Sequence, residues 1–172
     1  LNVRPDDFDS KLSQWKQQFT ETPLWQNLKL LESTSEADVV LKQQNEQIIL
    51  ATGNRPERDT WTLTFELPAL PDGKKHRSLR IEHFPKSIAG GDWADKNVAI
   101  RDLTVEQLQG TGTFQKITLT NPRATFSQPN WEVAKLINGD NSAGWALSPK
   151  FTDPQNCILD FSEPIDSGTI RI

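Results

Sequence analysis

Thr60-Trp61-Thr62-Leu63-Thr64-Phe65-Glu66-Leu67 alternates strictly between polar and apolar side chains. A period of two is the pattern of a strand with one dry face and one wet face. It predicts Trp61, Leu63, Phe65 and Leu67 on the core side, with Thr62, Thr64 and Glu66 opposite. Pro68, Pro71 and Asp72-Gly73 then end the strand and turn the chain, since proline lacks a donor and Asp-Gly tolerates turn geometry. Upstream, Gln47-Ile48-Ile49-Leu50-Ala51 has strand character, and Leu28, Leu30 and Val39–Leu41 sit among polar residues. Downstream come Arg77–Glu82, with Leu79 and Ile81 inward, then Val98–Leu103 and Phe114–Thr120. After Pro122 the pattern is irregular around Trp131 and Val133, and it leads through the loop Asn138–Gly144 into Trp145-Ala146-Leu147. Cys157–Phe161 and Gly168–Ile172 supply the last strands. Short strands separated by Pro, Gly and Asp turns, with no helix between them, predict an all-β fold over residues 24–172. An antiparallel β-sandwich of the jelly-roll kind is expected, because that arrangement limits exposed strand edges.

Residues 1–23 read differently. Phe8, Leu12, Trp15 and Phe19 recur at the spacing of one α-helical face, behind an acidic start at Asp6, Asp7 and Asp9. One N-terminal amphipathic helix lying on a sheet is predicted; a partner-binding arm, or the tail of a neighbouring domain, is the alternative.

Composition narrows the chemistry. With 19 Lys and Arg against 23 Asp and Glu, the net charge is −4, which disfavours electrostatic capture of nucleic acid or of an anionic membrane. No apolar run approaches the roughly 20 residues of a membrane-spanning helix, and none resembles a secretion signal. One Cys cannot form an internal disulfide, and with two His it cannot complete a zinc site. Six Trp and eight Phe, without Tyr or Met, must do much of the core filling. The chain starts at Leu1 and contains no Met, so it is expected to be an excised domain of a longer protein.

No catalytic signature is present: there is no Gly-x-Ser-x-Gly elbow, no phosphate-binding glycine loop and no His-Glu-x-x-His. The expectation is a protein that is not an enzyme. Cys157 alternates with Leu159 and Phe161 and is expected to be a buried, inert thiol. The loop Asn138–Gly144 is rich in oxygen donors; Asn138, Asp140 and Asn141 suit Ca²⁺, or else hold a metal-free turn through their own side chains. His83–Lys96 is too long for a hairpin and sets Trp93 beside Asp92, Asp95 and Lys96. An indole in a polar loop offers a flat face to a sugar ring while neighbouring charges bond the hydroxyls; the alternative is a plug folded over the core. Arg55 and Arg58 lie in a second polar loop and suit carboxylate, sulfate or phosphate groups; a plain solvated turn is the alternative.

Asn121–Gln128, Val133–Asp140 and Gly144–Pro149 together resemble a segment found in large planctomycete proteins, where it accompanies planctomycete-type cytochrome c domains. Ala51-Thr52-Gly53, Asp59–Thr62, Arg80–Glu82 and Asn97–Ile100 extend the resemblance across about Trp25–Ile172. The segment is also similar to the discoidin, or F5/8 type C, group of galactose-binding-like sandwiches. The resemblance implies a jelly-roll domain that binds glycans, in an exported parent located in the periplasm or at the cell surface. With no Cys-x-x-Cys-His here, any haem lies elsewhere in that parent. Asn138 and Ala143 replace an Asp and a Thr of the pattern, and Gly90-Gly91-Asp92-Trp93 replaces a Gly-Pro-Gly-Arg stretch.

The functional expectation is a non-catalytic carbohydrate-binding module. Trp93, His83, Asp92, Lys96, Arg55 and Arg58 are its expected sugar-contacting residues at one end of the sandwich, with no cofactor in this fragment beyond the calcium alternative. The isolated domain is expected to be monomeric, to bind poly- or oligosaccharide, and to engage neither nucleic acid nor membrane. A structural or interaction domain packing against the cytochrome or another part of the parent is the second expectation.

Overall fold

A computed structural model describes residues 25–44, 48–90, 97–139 and 142–172, so the predicted N-terminal helix over 1–23 lies outside the described residues. Among the described residues the chain forms twelve strands. They are β1 (Lys29–Ser35), β2 (Val39–Gln44), β3 (Ile48–Gly53), β4 (Trp61–Leu67), β5 (His76–His83) and β6 (Ala99–Ile100), then β7 (Val105–Leu108), β8 (Phe114–Ile117), β9 (Leu119–Ala124), β10 (Trp145–Ala146), β11 (Gln155–Ile165) and β12 (Gly168–Arg171). Every pairing is antiparallel. One sheet runs β1-β4-β12-β7-β8 and a second runs β5-β11-β9; β2-β3 and β10-β6 form two-stranded pairs. The only α-helical segment among the described residues is a single turn, Lys86–Ala89.

The two larger sheets share one core, in a sandwich-like arrangement. Phe65, Leu67, Val105 and Ile170 come from the five-stranded sheet, and Leu79, Cys157, Leu159 and Phe161 from the three-stranded one. Trp145, Leu147, Val133 and Leu136 join them from the connecting segments. Strict alternation in β11 puts Cys157, Leu159 and Phe161 inside, as the period-two pattern predicts. Gly168–Arg171 lies beside β4 in register, Ile170 opposite Phe65, which seals the centre of the large sheet.

The founding alternation holds for Phe65 and Leu67 but fades at Trp61, which is 36% exposed. Trp61 is the first residue of β4, and its indole N–H is donated to Asp59 Oδ2 at 2.6 Å. A local acceptor at the strand end thus competes with burial.

Other expectations need revision. Phe114–Thr120 is two strands in different sheets: the chain leaves the large sheet after Ile117 and enters the small one at Leu119. Thr118 is the corner, its carbonyl accepting from Ser162 N at 2.9 Å. Strands that switch sheets at a bend keep their alternation, so periodicity does not reveal the switch. Strand β9 runs on through Pro122 to Ala124, and the irregular stretch around Trp131 and Val133 begins only after it. Proline is accommodated because β9 is an edge strand and because its register with β11 shifts between Ile158 and Asp160, next to Asn121 at φ 47°. Val98–Leu103 yields only the two-residue β6. Strand β7, which contributes the fully buried Val105, continues an alternation that Leu103 begins.

Candidate functional site

The expected loop site is described in part. Trp93, Asp92 and Lys96 lie outside the described residues, as do Asp140 and Asn141. Asn138 is exposed and follows the 3-10 turn Val133–Ile137. Arg55 and Arg58 are exposed in the connection from β3 to β4, and His83 is the last residue of β5. Strand β4 runs away from Trp61 and β5 returns to His83 after the turn at Pro68–Lys75. The arginine loop and the segment that follows His83 therefore leave the sandwich at the same end, one from each sheet. His83 sits opposite Gln155 and is half-buried, and that burial pulls its imidazole pKa below 6.5.

The same end holds a carboxylate clamp that the sequence reading did not single out. Asp59 accepts from Ser35 Oγ at 2.6 Å, Ala37 N at 2.9 Å, Thr60 N at 2.8 Å and Trp61 Nε1 at 2.6 Å. Desolvation pushes this carboxyl up, but the donors from Ser35, Ala37, Trp61 and Thr60 together outweigh it and hold the pKa below 3.8. The clamp fastens the β1–β2 turn to the start of β4 and so fixes the base of the arginine loop. Asp160 plays a similar part on the outer face of the small sheet. It accepts from both terminal nitrogens of Arg123 at 2.9 Å and from Ser78 Oγ at 2.6 Å, with the Arg123 hydrogen bonds foremost in lowering its pKa.

Both carboxyls are depressed, so each adds stability that is complete above the ordinary carboxylate pKa and is lost as pH falls through the lower folded value. His83 acts earlier. Below pH 6.5 the unfolded chain takes up a proton that the folded chain refuses, so stability begins to fall there. Thermal unfolding should show a decline in Tm in two stages on acidification, first below about pH 6.5 and then, more steeply, below about pH 4. His83→Gln should abolish the first stage alone; a first stage that survives the substitution would assign it to other groups.

Three of the motif segments, around residues 97–100, 126–128 and 144–147, meet in space. Gly144 is buried with the backbone of Ile100 and Arg101 directly against it. Trp145 is 2% exposed and donates its indole N–H to the Phe126 carbonyl at 2.8 Å. Ala146 accepts from Gln128 N at 2.9 Å, and Leu147 N donates to Asn97 Oδ1 at 3.1 Å. Asn97 in turn donates to Gln128 Oε1 at 2.9 Å. These contacts lock the segments around 97, 126 and 145 together; they are architecture.

Two shallow concavities lie on the sheet faces. The first, about 250 Å³, is lined by Glu32, Thr34, Thr62, Thr64, Phe114 and Arg171, on the outer face of the large sheet. The second, about 360 Å³, lies over the small sheet around Ser78, Asn121 and Asp160. Cys157 is fully buried, and desolvation pushes its thiol up to about 12, so no thiolate forms at neutral pH. Among the described residues no three His, Cys, Asp or Glu side chains are grouped to hold a metal, and no helix is long and apolar enough to cross a membrane. No family model, curated protein or solved structure matches the chain.

Proposed function

We propose that this domain is a non-catalytic carbohydrate-binding module, a jelly roll of the galactose-binding-like kind within a larger exported protein. It contacts poly- or oligosaccharide through loops at one end of the sandwich. The supporting observation is topological: the loop bearing Arg55 and Arg58 and the segment beginning at His83 emerge at one end, from strands anchored in a common core. A stiff scaffold presenting polar loops suits recognition of hydroxyl-rich ligands, with an indole and guanidinium groups as contacts. Trp93, Asp92 and Lys96 complete the proposed surface.

Affinity electrophoresis through gels containing algal or bacterial polysaccharides tests the reading. The wild-type domain should be retarded by at least one of them. Trp93→Ala should weaken that retardation by roughly ten-fold or more, the value of one lost stacking contact. Unchanged migration of the variant would remove Trp93 from the surface.

The second reading, an interaction domain docking on another part of its parent, draws on Ile88 and Val98, which are 56% and 48% exposed on either side of the same segment. It predicts no retardation by any polysaccharide.

A further inference from the structure

The wet face of the alternating strand β4 carries the first concavity, and its lining turns polar groups toward solvent rather than toward one another. Thr34 pairs with Thr62 across β1 and β4, while Thr64 has Glu32 on one side and Arg171 on the other. Among the described residues, the hydroxyls of Thr34, Thr62 and Thr64 and the Glu32 carboxylate have no side-chain hydrogen bond or ion pair within the chain. Arg171, by contrast, is fixed. Its Nε donates to Glu106 Oε2 at 2.8 Å and its guanidinium lies 4.1 Å from the centroid of the Phe114 ring.

This lining selects a ligand class. Each threonine hydroxyl is one donor and an acceptor, and directly opposed residues in an antiparallel pair stand about 5 Å apart, so the face displays a closely spaced set of groups able to exchange hydrogen bonds with sugar hydroxyls. Glu32 adds acceptors for neighbouring hydroxyl donors, and the partly exposed ring of Phe114 adds apolar surface. Anionic sugars fit poorly: the Arg171 charge is already engaged by Glu106, and the Glu32 carboxylate faces the same hollow. One uncompensated carboxylate is also too little for a divalent cation. We propose that this furrow binds a neutral polysaccharide chain laid across β1, β4 and β12. The proposal rests on the reading of the domain as a glycan binder and adds to the loop end a sheet-face site.

The test uses affinity electrophoresis and titration calorimetry with galactomannan and xyloglucan as neutral probes and polygalacturonate as the anionic one. The variant Thr62→Val/Thr64→Val keeps β-branched side chains on the strand and removes only the hydroxyls. It should keep the wild-type Tm and lose roughly ten-fold or more in affinity for the neutral probe that binds. Arg171→Gln is a second, independent probe and should weaken the same probe. Wild-type affinity in both variants would overturn the furrow while leaving the glycan reading intact, the more so if Trp93→Ala alone lost binding. Preference for polygalacturonate with indifference to the threonine changes would also overturn it. A wild-type domain that binds none of the three, or any wider polysaccharide panel, would remove the glycan reading itself.

Discussion

Gly144→Ala should destabilise the domain by about 3 kcal/mol or more, lowering Tm by roughly 6–12 °C for a chain of this size. A Cβ at this position would overlap the Ile100 carbonyl oxygen and stand 2.8 Å from the Ile100 carbonyl carbon. These are backbone atoms of β6, which is itself paired to β10 through Trp145 opposite Ile100 and Ala146 opposite Ala99. No side chain can swing aside, so relief requires separating the two strands or tilting the whole connection. That motion would pull Trp145 and Leu147 out of the core. Gly110→Ala is the matched control, since a Cβ there meets nothing within 4 Å; it should shift Tm by no more than about 2 °C. Equal Tm values for the two variants, read by differential scanning calorimetry, would contradict the close approach of β10 to β6.

The series of short segments like Thr60–Leu67, separated by Pro, Gly and Asp turns, predicts an all-β fold, because burying one face is the dominant demand on such strands and leaves its mark residue by residue. What it could not reveal was partnership. Nothing in the periodicity of Phe114–Thr120 shows that Thr118 is a corner between sheets, since both sheets ask for the same in-out pattern. Pro122 misleads in the opposite direction: a missing donor argues against a central strand, and the edge position of β9 together with its register shift against β11 makes it tolerable.

The candidate sites divide in the same way. Arg55, Arg58 and His83 were legible as polar residues in or beside loops, and topology brings their loops to one end. The Asp59 clamp was not legible, because its donors Ser35 and Ala37 lie 24 and 22 residues away. The furrow was half legible. The alternation puts Thr62 and Thr64 on the wet side of a strand, but Glu32, Thr34, Phe114 and Arg171 reach the same hollow only through three other strands.

Trp145→Ala should cost about 3–5 kcal/mol, the range for removing a large aromatic side chain from a core. Trp145 is 2% exposed, belongs to the central apolar cluster, and spends its only polar group on the Phe126 carbonyl. Trp145→Phe separates the two contributions. It keeps an aromatic ring in place but strips the donor from Phe126, so about 1–3 kcal/mol should be lost to the hydrogen bond, alongside a smaller packing loss. Urea unfolding followed by circular dichroism resolves the series, provided the m-values stay equal so that midpoints report stability alone. A loss below about 1 kcal/mol for Trp145→Ala would mean that this ring is not the core element its burial indicates. Trp145 also sharpens the functional question. It sits in the Gly-Trp-Ala motif that carries the family resemblance, yet its ring has no solvent-facing surface for a ligand. Trp145→Phe protein that remains folded should therefore migrate like wild type in polysaccharide gels, whereas changes at Trp93 or at Thr62 and Thr64 should not be silent. A loss of binding in folded Trp145→Phe would tie recognition to the architecture around residues 97, 126 and 145 and away from both proposed surfaces.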